Sequence, residues 1–169
     1  MKRLLLAFVI LTSCSLIGWG QSKVEVFTYH RKGQPLVLFR DQSCTEIGAI
    51  LYPLYSEPPI QDNDLIGYIV HIVADCGDTF SLDSDGMDLF IKKGEVAINT
   101  RNYDGASLLL YEVPDRQAPA TCFGNKEMTV CVYGVFDGWV YVEIENLDST
   151  HRGWLPPEMI CGNPFTPCC

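Results

Sequence analysis

No window of twelve residues in this chain holds a clean apolar period of 3.6, and that absence constrains the fold more than any motif. What recurs instead are short β-branched or aromatic runs between turn residues, at 24–29, 36–39, 66–73, 79–82, 95–98, 107–113, 128–135 and 139–144. In the last run Val140, Val142 and Ile144 fall on one face of a strand, and Trp139, Tyr141 and Glu143 on the other. Asp137-Gly138 just before it is a tight-turn signal. Many short strands between turns predict an all-β barrel or sandwich. At 47% hydrophobic and 20% charged, a chain of 169 residues has enough apolar side chain to bury a core.

The first twenty residues read as a signal peptide. Lys2 and Arg3 form a basic start, 4–11 are apolar, and small residues follow. Cleavage after Gly20 leaves Gln21 first and a periplasmic or secreted protein. The alternative reads Leu11-Thr12-Ser13-Cys14 as a lipobox, with Cys14 lipidated and the protein anchored to a membrane face. Membrane contact is expected only in that second case. The formal charge is −9, and loss of Lys2 and Arg3 makes the mature part more acidic still. Such a surface repels phosphate backbones, so nucleic acid is not an expected partner.

Seven cysteines follow either cleavage site: Cys44, Cys76, Cys122, Cys131, Cys161, Cys168 and Cys169. In an exported small protein they read first as disulfides, with connectivity open and one left over. No CxxC pair or Cys/His spacing suggests zinc, and no residue demands a cofactor.

The chain also repeats itself. Residues 88–99 align with 152–163, so that Phe90 meets Trp154, Ile91 meets Leu155 and Val96 meets Ile160. Upstream, 36–39 meets 108–111, and 79–82 meets 139–142, in the same order. The repeat divides the mature chain into 24–104 and 105–169.

The second half carries a family pattern. Asp137-Gly138-Trp139-Val140-Tyr141-Val142-Glu143, followed by Gly153-Trp154-Leu155-Pro156-Pro157-Glu158-Met159-Ile160, resembles the bacterial SH3-like (SH3b) domain. The resemblance covers about 107–163 directly and 34–99 through the repeat. It implies two tandem, partly open SH3-like barrels, the first degenerate. It also implies a peptide groove at Tyr111, Trp139 and Pro156, with Met159 where proline-binding relatives carry a tyrosine. Tyr141 and Trp154 complete the aromatic group. The matching positions of the first half hold Phe39, Thr79, Lys92 and Glu95.

The expected function is therefore a non-catalytic envelope protein that binds or scaffolds, recognising a peptidoglycan peptide or a protein partner. One alternative is an accessory cell-wall cysteine hydrolase using Cys76, beside Asp75 and Gly77, with a base from His30, His71 or His151. Another is a purely structural subunit. Asp83, Asp85 and Asp88 with Gly86 look like the start of a calcium loop, but Lys92 stands where its glutamate belongs, so a solvated acidic loop is expected. The proline-rich stretch 52–59 reads as an interaction loop or an edge cover.

Overall fold

A computed structural model describes residues 22–54, 65–102, 105–145 and 150–164. The expected signal segment with Cys14, the prolines at 58 and 59, Cys168 and Cys169 lie outside these ranges.

The fold is all-β. Its strands are β1 (Val24–His30), β2 (Leu36–Phe39), β3 (Ile47–Leu51), β4 (Leu65–Asp75), β5 (Thr79–Leu82), β6 (Leu89–Lys92), β7 (Val96–Thr100), β8 (Leu108–Tyr111), β9 (Ala120–Gly124), β10 (Thr129–Phe136), β11 (Trp139–Glu145), β12 (Thr150–Leu155) and β13 (Ile160–Cys161). Three-residue 3-10 turns stand at Arg31–Gly33 and Pro157–Met159. The strands join in one sheet, ordered β3-β2-β6-β5-β4-β1-β7-β10-β11-β12-β8-β9, with β13 beside β7. All these pairings are antiparallel.

That order contains the sequence repeat. The run β3-β2-β6-β5-β4-β1-β7 is matched, place for place, by β9-β8-β12-β11-β10-β7-β13. The register agrees too: Phe39 lies opposite Phe90, and Tyr111 opposite Trp154. β7 serves twice, closing the first series and opening the second. Its start pairs with β1, its end with β13, and its other edge with β10. The two halves expected to part at 104/105 are thus joined through a strand that precedes that point.

The core follows from strand alternation. Val26, Phe80, Ile91, Val96, Ile98, Val132, Val140, Val142 and Leu155 are fully buried in one cluster that takes residues from both repeats. Each such side chain contributes about 1.5–3 kcal/mol on burial. A unit of about 60 residues alone has a marginal core; sharing β7 and its apolar side chains offsets that.

A polar chain crosses β1 and β4. The ladder between them is irregular between Phe27 and Tyr29, and the Thr28 hydroxyl takes up the slack. The Tyr68 N–H donates to Thr28 Oγ1 at 2.8 Å, and Thr28 Oγ1 lies 3.2 Å from His30 Nε2. His30 Nδ1 lies 2.9 Å from the Gln34 carbonyl, which can only accept. Nδ1 therefore carries the hydrogen, and neutral Nε2 accepts from the Thr28 hydroxyl. Burial lowers the His30 pKa below 6.5, against the smaller raising effect of the Gln34 bond. A histidine with a lowered folded pKa gives its full stability above the unfolded pKa and loses it as pH falls below that value. The thermal midpoint is expected to drop between about pH 7 and 5. A His30→Gln variant should lack that component; an equal slope in both proteins contradicts the assignment.

The expected disulfides need correction at four positions. Cys44, Cys76, Cys122 and Cys131 are thiols. A bridge needs two Cβ atoms about 3.5–4.5 Å apart. The four stand on the β2–β3 turn, the β4–β5 turn, edge strand β9 and interior strand β10, and none of them is bridged. Cys161 on β13 is disulfide-bonded, to a partner outside the described residues.

Candidate functional site

Asp137 and Gly138 both have positive φ, +45° and +80°, as a two-residue hairpin turn of this hand requires. The turn sets Phe136 opposite Trp139 and starts β11 in the register foreseen from its alternation. Val140, Val142 and Ile144 enter the core, leaving Trp139, Tyr141 and Glu143 on the opposite face. On β12, Leu155 is buried in the core and Trp154 is half-buried. On β8, Leu108 and Leu110 are buried and Tyr111 is half-buried.

Three strands thus bring the four predicted aromatics together. Tyr111 and Trp139 meet edge to face at 5.4 Å and 89°, and Tyr141 and Trp154 at 5.4 Å and 60°. Both are favoured geometries, worth about 0.5–1.5 kcal/mol beyond burial. Gly153 permits the arrangement, because a Cβ there would lie 2.8 Å from Leu110 Cβ and 3.0 Å from the Tyr111 carbonyl oxygen. β8 could not come so close to a larger residue.

The aromatics differ in access. Trp139 is only 8% exposed, whereas Tyr111, Tyr141 and Trp154 keep part of their surface. Pro156 is buried and starts the 3-10 turn, with the Met159 N–H donating to its carbonyl at 2.9 Å. Met159 packs against the core, and its carbonyl accepts from the Arg101 N–H at 2.9 Å. An ion pair between Arg116 and Glu158, 2.7 Å, links the β8–β9 connection to the 3-10 turn. Beside Trp154, Arg152 pairs with Glu143 at 2.6 Å, which raises the Arg152 pKa. So the face holds together Tyr111, Trp139, Tyr141 and Trp154, while Pro156 and Met159 serve the turn behind it.

The first repeat has a different feature at the corresponding place. Phe39 stands where Tyr111 stands, with Lys92 Nζ 5.3 Å from its ring centroid. Thr79 takes the place of Trp139. A cleft of about 730 Å³ opens there, lined by Cys44, Asp78, Thr79, Lys92 and, from β10 of the other repeat, Tyr133. The repeat alignment marks Thr79 and Lys92 as polar exceptions. Nothing in the sequence brings the 42–44 turn and Tyr133 to them.

The remaining candidates are placed as follows. Cys76 is buried in the β4–β5 turn. The histidines are engaged elsewhere: His30 with Thr28 and Gln34, His71 with Glu25 at 3.6 Å, and His151 edge to face on Phe123 at 5.2 Å. In the acidic loop Asp83 pairs with Lys23 at 2.5 Å. Among the described residues no three His, Cys, Asp or Glu side chains are grouped as a metal would require. Comparison of the chain with protein-family models, with curated proteins and with solved structures finds no match.

Proposed function

We propose that this protein is a non-catalytic binding or scaffolding component of the bacterial envelope, built of two SH3-like units fused through β7. Its second unit meets a cell-wall peptide or a protein partner on the face formed by Tyr111, Tyr141 and Trp154. The observation that carries this reading is the repeated strand order. In each repeat a strand is followed by a hairpin, then by a three-stranded meander, then by a return strand beside the first. In the second repeat a 3-10 turn precedes the return strand, as in the SH3-like pattern. The partly exposed aromatics offer contact area at low entropic cost.

Co-sedimentation of the mature protein with purified sacculi tests it. Binding is expected, and Tyr111→Ala should reduce it while the thermal midpoint shows the variant folded. Sedimentation equal for both proteins removes this face from the interaction.

A specific observation favours a second reading, a structural subunit working through its first repeat. Among the described residues β3 is an edge strand, and Ile47, Ile50 and nearby Tyr52 are 60%, 49% and 64% exposed. An unpaired apolar edge is a template for another strand. On this reading, Ile50→Lys and not Tyr111→Ala abolishes cross-linking to a neighbour in the envelope.

A further inference from the structure

The β5–β6 cleft contains a hydroxyl that the described residues leave unused. Thr79 is 1% exposed, and its Oγ1 has no hydrogen-bond partner among the described residues. A buried hydroxyl in that condition costs about 1–3 kcal/mol, so something should repay the loss when the site is occupied. Lys92 lies directly across the strand pair from Thr79. It forms no ion pair among the described residues, whereas neighbouring Lys93 is held by Asp75 at 2.7 Å. Tyr133 accepts from Arg31 at 3.4 Å, which leaves its own O–H available to donate. The cleft thus presents two ammonium groups, Lys92 and the Lys93 held by Asp75, the hydroxyls of Ser43, Thr79 and Tyr133, and one carboxylate, Asp78, that forms no ion pair among the described residues.

We infer that this cleft binds the free carboxylate end of a short peptide. The carboxylate accepts from Lys92 and the Thr79 hydroxyl. The adjoining amide N–H of the peptide donates to Asp78. A phosphate dianion fits less well, because its second negative charge would face Asp78. The site shares no lining residue with the aromatic face of the second repeat and does not depend on the function proposed for that face.

Cys44 lines the same cleft and supplies a reporter. Burial raises its pKa, which lowers its thiolate fraction, and an occupant of the cleft would shield it from the reagent. Cys122, exposed on β9, serves as the internal control. The full mature protein is alkylated with a thiol reagent, with or without N-acetyl-Ala-Ala, its C-terminal amide, or inorganic phosphate. The dipeptide acid is expected to protect Cys44 and not Cys122, and the amide and phosphate to protect neither. The D,D and L,L forms of the acid distinguish a wall-type peptide from a protein tail. Thr79→Val removes the unused hydroxyl at nearly constant shape. It should raise the thermal midpoint by about 2–4 °C and weaken the dipeptide by about tenfold or more. That combination separates a binding role from a structural one. Absence of protection by either acid, equal protection by the amide, or unchanged affinity in Thr79→Val overturns the inference.

Discussion

Trp139→Ala is expected to destabilise the protein by about 3–5 kcal/mol, the usual loss when a large buried aromatic becomes alanine. The residue is 8% exposed and supports Tyr111 edge to face at 5.4 Å. It also opens β11 just after the Asp137–Gly138 turn. Trp139→Phe should keep most of the lost stability, because a ring remains to meet Tyr111. Chemical denaturation of the three proteins measures this. A midpoint for Trp139→Ala equal to that of the wild type contradicts the packing described. The same burial decides how function is probed. Loss of binding in Trp139→Ala would report unfolding, so Tyr111, with part of its surface accessible, is the informative position.

Gly67→Ala should cost about 3 kcal/mol, combining overpacking with loss of a buried hydrogen bond. Gly67 is buried on β4 against the irregular part of β1. A methyl group there would collide with Thr28 Oγ1 and the His30 ring. Both belong to the chain running from the Tyr68 N–H to the Gln34 carbonyl. Movement of either side chain leaves a buried donor or acceptor unpaired. A double-mutant cycle with Thr28→Ala makes the test specific: the cost of Gly67→Ala should shrink when the threonine hydroxyl is already absent. Equal cost in both backgrounds would place the strain elsewhere.

How much of this was legible in the chain varies by element. Strands whose side chains alternate between core and outer face announced themselves, and β11 is the clearest, with Val140, Val142 and Ile144 inside as read. The edge strands β3 and β9 did not. Ile47–Leu51 contains Gly48 and Ala49, and Ala120–Gly124 is mostly exposed. Neither holds the alternation that marks a half-buried strand; β2 and β8 draw them into the sheet by hydrogen bonding. Four of the seven cysteines misled for a related reason. Spacing along a chain says nothing of where two Cβ atoms point, and Cys131 on an interior strand lies 3.4 Å from an Arg31 nitrogen. The aromatic group was foreseen as a set, because Tyr111, Trp139, Tyr141 and Trp154 sit on predictable strand faces. The burial of Trp139 was not, since it depends on what packs over that face.

By itself the sequence determined the all-β class, the hairpin at Asp137–Gly138 and the internal repeat. All three are carried by local chemistry: strand alternation, the positive φ that glycine and aspartate tolerate, and similar side chains at similar steps. Only the tertiary structure decided that β7 belongs to both repeats, that four cysteines stay as thiols, and that Thr79, Lys92, Cys44 and Tyr133 line one cleft. Those outcomes depend on which strand edges meet and which side chains cross between repeats, and contacts between residues far apart in the chain leave no period or spacing by which they could be read.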